Sequence, residues 1–222
     1  MSILVIIPAA GSGTRIGGDV PKQFLPLFGG RTILQFVIDR FLAEPDVARI
    51  VVPVSNEWLS PMQQALSGDR VQVVAGGETR QQSVRCGLQA AEESEFDVVA
   101  VHDAVRPFFN SQVFARTVEA AHHDGAALPG IPVTDTIHGV HNETIAATLD
   151  RRDLIAAQTP QCFRPQLLRE VLDRAAEEGI EGTDEAGLAA RYGFTVRVVP
   201  GDPLNFKITR PEDVERAKAR VS

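Results

Sequence analysis

The first 130 residues alternate between two kinds of stretch. Short β-branched runs at 3–7, 49–54, 71–75, 98–101 and 126–128 are separated by helical patterns near 32–44, 56–67, 79–93 and 111–123. In the first helical stretch, Ile33, Phe36, Val37 and Phe41 recur at helical spacing and fall on one face. Strands alternating with helices of this length set the fold class: α/β, with a Rossmann-like, mostly parallel sheet covered by helices on both faces. Ligands of such sheets sit beyond the carboxyl ends of the strands. The loops beginning at Pro8, Gly76 and His102 leave three of those ends, so they are expected to face one crevice.

From about Pro132 the pattern changes. "VTDTIHGVHNETIAATLDR" alternates β-formers with polar residues around a turn at 141–143, as a hairpin with little apolar content of its own. Two-stranded hairpins are marginal alone in water, so this arm is expected to pack against something else. Helices near 165–178 and 184–192, a strand at 195–199 and a last helix from Arg210 follow. "ITRPED" suits that last start, with Pro211 at the first helical position and Glu212 and Asp213 near the positive end of the dipole. No linker or repeat divides the chain, so residues 1–222 read as a single domain.

Composition bounds the partners. A formal net charge of −7 argues against broad nucleic-acid binding, which needs a basic face. An anionic small substrate remains compatible, because a local cluster of cations outweighs the global sum. Eleven Phe beside one Trp and one Tyr read as core filling. Cys86 and Cys162 form no CxxC pair, and a disulfide is not expected. "MSILVIIPAA" lacks a basic n-region and is too short to span a bilayer, so it reads as a strand feeding a loop. A cytoplasmic protein without membrane contact is expected.

"PAAGSGTRIGGDVPKQFLPL", residues 8–27, carries the first loop. It contains no GxxxxGK[ST] string, and its glycines at 11, 13 and 17 miss GxGxxG by one residue. Gly11 and Gly13 let the chain approach phosphate closely. Arg15 adds a planar fork for two phosphate oxygens, and Lys22 adds a compact point charge. Together they point to a triphosphate gripped for attack at an inner phosphorus. The bland alternative is an ordinary βα loop with a surface Arg and Lys.

"PAAGSGTR", "PKQF", "GGETRQQSV", "VHDAVRP", "DT", "LDR", "QTPQ", "TDEA" and "NFKITRPED" occur in that order over nearly the whole chain. In this series the sequence resembles the 2-C-methyl-D-erythritol 4-phosphate cytidylyltransferases of the non-mevalonate isoprenoid pathway. The resemblance implies a nucleotidyltransferase fold akin to the glycosyltransferase-A type, with a protruding β-hairpin arm over 133–151. It implies that CTP and methylerythritol phosphate combine, with release of pyrophosphate, and that the arm makes a homodimer.

In that chemistry a substrate phosphate attacks the α-phosphorus of CTP in line, so mutual repulsion of two anions is the main obstacle. Transfers of this kind need positioning and charge neutralisation rather than a side-chain nucleophile. Two unit charges about 4 Å apart interact by roughly 4 kcal/mol at an effective dielectric near 20, so a few placed cations supply the right order of energy. By resemblance, Arg15 and Lys22 stabilise the transition state and leaving pyrophosphate, while Arg151 and Lys207 hold the attacking phosphate.

The cytosine edge is expected to meet backbone around Pro8, Ala9, Ala10, Gly77 and Glu78, with a hydroxyl from Ser83. Asp103 is implied to touch sugar hydroxyls, and Thr136 and Thr159 to touch the acceptor. Mg²⁺, or another divalent cation, is implied to be held mainly by the CTP phosphates without a direct protein ligand. Arg106 reads as an ion-pair partner of Asp103 or a structural cap. Thr136 is implied to serve either its own site or that of a neighbouring subunit.

The nearest rival is a ribitol-5-phosphate cytidylyltransferase, for which "PKQFLPL" and "DAVRPF" suit nearly as well. "PAAG" and the "LDR" before "QTPQ" favour methylerythritol phosphate. A catalytically silent nucleotide-binding regulatory module would be expected to lack Arg15, Lys22 or Lys207, and all three are present.

Overall fold

The computed structural model describes residues 1–11, 20–91 and 96–221. β1 (Ile3–Ile6) runs through the centre of the sheet with every residue buried. Its side chains alternate between faces, as a strand requires: Ile3 and Val5 join one core cluster, Leu4 and Ile6 the other. β4 (Val47–Val54) and β6 (Val98–Val101) flank it in parallel, and β5 (Val71–Ala75) lies outside β4, also in parallel. These strands match the β-branched runs read from the sequence.

β7 (Ala126–Pro132) runs parallel to β6 but is separated from it by a strand the sequence reading did not foresee. That strand, β11 (Gln161–Phe163), pairs antiparallel with both, and β10 (Ile155–Ala157) continues along the same edge of β7. Three residues each are too few for a period of two to stand out. β12 (Arg197–Pro200) closes the other edge of β7 in parallel. A small ladder of β2 (Pro26–Phe28) and β3 (Arg31–Thr32) leads into the first helix.

α1 (Ile33–Leu42) starts on a capping box in which the Thr32 hydroxyl accepts from the Gln35 amide and the Gln35 side chain accepts from the Thr32 amide. It packs with α4 (Ser111–Asp124) on one sheet face, and Trp58 and Met62 of α2 (Asn56–Leu66) lie against the same cluster. Asn110 caps α4, and Gly125 ends it at a φ of 98°, a conformation that favours glycine. α3 (Arg80–Ala90), α5 (Pro165–Glu177) and α6 (Glu185–Arg191) cover the opposite face.

A third cluster, around Leu27, Ile33, Phe108 and Ile208, seats α7 (Pro211–Val221) at one end of the sheet. The Asp213 carboxylate accepts from the Thr209 and Arg210 amides and the Thr209 hydroxyl, holding the start of α7.

The arm is β8 (Ile137–His141) paired antiparallel with β9 (Thr144–Leu149), turning through Asn142 and Glu143, both at positive φ. It forms its own two-stranded sheet, apart from the main one. Val140 and Ile145 are about two-thirds exposed there. No described helix is long and apolar enough to cross a membrane.

Candidate active site

The loops that follow β1, β5 and β6 do line one cleft, of about 270 Å³, and a fourth segment around Lys207 joins them. Pro8, Ala9, Ala10 and Gly11 form the first wall. The chain there still pairs with its neighbour past the end of β1, the Ala9 amide donating to the Pro53 carbonyl at 2.8 Å. The buried side chain of Gln23 reaches back to donate to the Ala9 and Gly11 carbonyls at 2.7 and 2.9 Å, which sets the shape of that loop. Gln23 was not singled out from the sequence, although "PKQF" contains it.

The second wall is the turn from β5 into α3. A Cβ on Gly76 would lie 2.8 Å from the Ala10 Cβ, and one on Gly77 would lie 2.3 Å from the Gln82 Cβ. Glycine at both positions is therefore set by close approach, as is the smallness of Ala10, before any ligand is considered. Thr79 and Gln82 make a second capping box, with the Gln82 side chain also accepting from the Glu78 amide at 2.8 Å. The Ser83 hydroxyl accepts from the Gly77 amide and donates to the Thr79 carbonyl. Ser83, expected to offer its hydroxyl to a base, lines the cleft, and that hydroxyl also braces the turn.

The third wall carries Asp103, nearly buried and surrounded by cations. Lys207 Nζ lies 2.9 Å from Asp103 Oδ2, Arg106 Nε 3.3 Å from the same oxygen, and Arg80 Nε 3.4 Å from Oδ1. Burial opposes the charged carboxylate, but Lys207, Arg80 and Arg106 overcome it and hold Asp103 well below the usual carboxylate range. Arg106 is thus both ion-pair partner and clamp, since its Nη1 donates to the Asn205 carbonyl at 2.8 Å.

Behind Asp103 lies a hydrogen-bonded chain. The Asp103 amide donates to Thr159 Oγ1 at 3.1 Å, and Thr159 Oγ1 lies 3.1 Å from His102 Nδ1. His102 Nε2 is 2.9 Å from the Arg106 carbonyl, so it carries the proton and Nδ1 accepts from the threonine hydroxyl. Burial lowers His102 to about 4, against which the Arg106 carbonyl and Asp103 act only partly. Thr159, for which the resemblance implies contact with the acceptor, is buried, and its hydroxyl braces the Asp103 loop from behind. The reason is geometric: β11 beside β6 places residue 159 level with His102 and Asp103.

Of the four expected catalytic cations, Lys22 and Lys207 line the cleft. Lys22 Nζ donates to the Ile208 carbonyl at 3.0 Å. Arg15 and Gly13 lie outside the described residues. Arg151 and Thr136 do not line this cleft: both are exposed at the base of the arm, where Arg151 donates to the Thr134 carbonyl. Gly11, Gly77, Glu78 and Asp103 do line it, as expected.

Two further residues besides Gln23 escaped the sequence reading. Arg80 lines the cleft, and its Nη1 lies 2.8 and 2.7 Å from the two carboxylate oxygens of Glu185. Burial pushes the Glu185 carboxyl up, and the Arg80 guanidinium, whose Nη1 is shared by both carboxylate oxygens, opposes that shift. Both sit inside motifs, "GGETRQQSV" and "TDEA", whose only signal was membership of those motifs.

The model of the 2-C-methyl-D-erythritol 4-phosphate cytidylyltransferase family, IspD, matches residues 3–222. A protein of that name from Acidobacterium capsulatum is 44% identical, the match covering 98% of this chain and 96% of the relative. The Francisella tularensis enzyme structure of the same name superposes with a TM-score of 0.87 at 32% identity, over 99% of this chain and all of that one. The Thermus thermophilus structure gives 0.81 at 37% identity, over 99% and 98%.

Proposed function

The chain belongs to the 2-C-methyl-D-erythritol 4-phosphate cytidylyltransferase family, and on that premise we infer how its cleft performs the reaction. It is a nucleotidyltransferase that joins CTP to 2-C-methyl-D-erythritol 4-phosphate and releases pyrophosphate. The observation that carries the assignment of residues is the meeting of Lys22, Lys207 and Asp103, from three distant segments, in one cleft.

The base lies against Ala9 and Ala10 with its edge toward the 76–78 turn, where backbone already shaped by Gln23, Gln82 and Ser83 reads cytosine. Asp103 accepts from the ribose hydroxyls. The acceptor phosphate oxygen attacks the α-phosphorus; the new P–O bond forms as the bond to the β-phosphate oxygen breaks, and pyrophosphate leaves with that electron pair. Lys22 and Arg15 neutralise charge on the triphosphate, and Lys207 holds the acceptor phosphate. Arg151 and Thr136 serve the acceptor from the arm's base, in the subunit's own site or a partner's.

Among the described residues, Asp103 and Glu78 are the carboxylates lining the cleft, and both Asp103 oxygens already face cations. Among the described residues no cluster of His, Cys, Asp and Glu is placed to hold a metal ion. This donor set is compatible with a divalent cation that would arrive on the triphosphate. When bound, the metal neutralises charge on the triphosphate.

Exposed Val140 and Ile145 on an arm outside the main sheet support a homodimer built through that arm. The free thiols of Cys86 and Cys162 suit a reducing, cytoplasmic setting. Pyrophosphate release from CTP and Mg²⁺, with methylerythritol phosphate or ribitol 5-phosphate as acceptor, tests the reading. Turnover with the former is expected; turnover with ribitol phosphate alone would overturn it.

A further inference from the structure

Arg80 stands between two carboxylates of different character. One, Asp103, lines the cleft; the other, Glu185, opens α6 with 1% exposure and is not part of the cleft lining. The start of α6 has its own anchors. Gln161 Nε2 donates to Asp184 Oδ2 at 2.8 Å, the Ala186 amide donates to Gln161 Oε1 at 3.0 Å, and Asp184 Oδ1 accepts from the Gly187 amide. Glu185 is therefore not needed to place its helix.

With Glu185 buried and the Arg80 side chain 29% exposed, the ion pair is also a weak staple. Desolvating both charges costs about as much as their attraction returns, and apolar residues of similar volume join two elements as well or better. An apolar pair cannot reach Asp103. With Lys207 and Arg106 both drawn to Oδ2, Arg80 is, among the described residues, the cation that holds Oδ1 and so fixes the plane of the carboxylate.

We propose that Glu185 is a positioning residue for cytidylyl transfer, acting through Arg80 to fix the Asp103 carboxylate that meets the nucleotide ribose. This rests on the reading of Asp103 given above. Both Glu185 oxygens accept from Arg80 Nη1, which aims Nε at Asp103 and keeps Arg80 from turning toward the incoming phosphates. The defect on breaking the pair therefore falls on CTP more than on the acceptor.

The test compares wild type, E185Q, R80Q and E185Q/R80Q by steady-state kinetics in CTP and in methylerythritol phosphate. E185Q should raise KM for CTP about tenfold with KM for the acceptor little changed, since small misplacements at a site are costly. The double variant should be no worse than R80Q. A second design, R80M/E185L, keeps the helices joined by apolar contact. It should melt at or above the wild-type temperature and still show the CTP defect. Wild-type CTP kinetics in R80M/E185L, or additive losses in E185Q/R80Q, would overturn the proposal. D103N separates the two readings: if D103N impairs CTP use while R80M/E185L does not, only the role of Glu185 falls. If D103N leaves CTP use intact, the assignment of Asp103 falls with it.

Discussion

Lys22 donates from its ammonium to the carbonyl of Ile208 at 3.0 Å, across 186 positions of sequence. Ile208 follows Lys207, whose own ammonium reaches Asp103 at 2.9 Å, and the Ile208 amide is tied to the Val105 carbonyl. The lysine assigned to the triphosphate and the lysine assigned to the acceptor are thus mounted on one hydrogen-bonded unit. Two mutually repelling anions can be drawn together without the cations that hold them moving apart.

Lys22→Ala should lower kcat by about 10²- to 10³-fold, the usual loss when one preorganised charge is removed from a transition state. KM for CTP should change much less. Equal kcat in variant and wild type would take Lys22 out of the chemical step.

Lys207→Ala should raise KM for methylerythritol phosphate by about 10- to 100-fold, the loss expected from one charge-assisted contact. Substrate-saturation curves for both substrates check this. A rise confined to CTP would place Lys207 on the nucleotide side.

Gly77→Ala puts a methyl group 2.3 Å from the Gln82 Cβ, so the turn or the capping box must shift. Overpacking of this kind costs about 1–3 kcal/mol. Calorimetric titration with CTP should show weaker binding; unaltered affinity together with an unaltered melting temperature would mean the turn accommodates a side chain.

His102 titrates at about 4 in the folded protein, from an ordinary value of 6.5, because it is buried. The unfolded chain then binds more protons between those values. This contribution to stability is complete above pH 6.5 and is lost as pH falls toward 4, on the order of 3 kcal/mol in all. Urea unfolding at pH 7.5 and 4.5 should show wild type losing more stability than His102→Gln. Parallel losses in the two proteins would contradict a buried neutral imidazole.

Val140→Asp with Ile145→Asp should convert the proposed arm-mediated dimer into monomers, read by light scattering. Both side chains are about two-thirds exposed in the subunit, so the monomer itself should lose no more than about 0.5 kcal/mol. A dimer that survives the pair of aspartates places the interface elsewhere.

The parallel strands were legible because their signal is local. The short β-branched runs stand out by composition, and Ile33, Phe36, Val37 and Phe41 mark a helix by their spacing. Strand ends then imply a crevice, so Pro8, Gly77 and Asp103 were found without coordinates. The β10–β11 edge was not, because a three-residue strand is too short to show a period.

Hydroxyl roles were legible only in part: Ser83 and Thr159 stand out as polar groups near the site, while the bonds that tie them to the scaffold depend on tertiary contacts. The Arg80–Glu185 pair, 105 positions apart, leaves no periodic trace at all. Local pattern settles which segments become strands, helices and turns, since neighbouring side chains share one backbone period. Which charges meet depends on how the crossovers stack α3 and α6 over one face, and that follows from burying the whole apolar surface together.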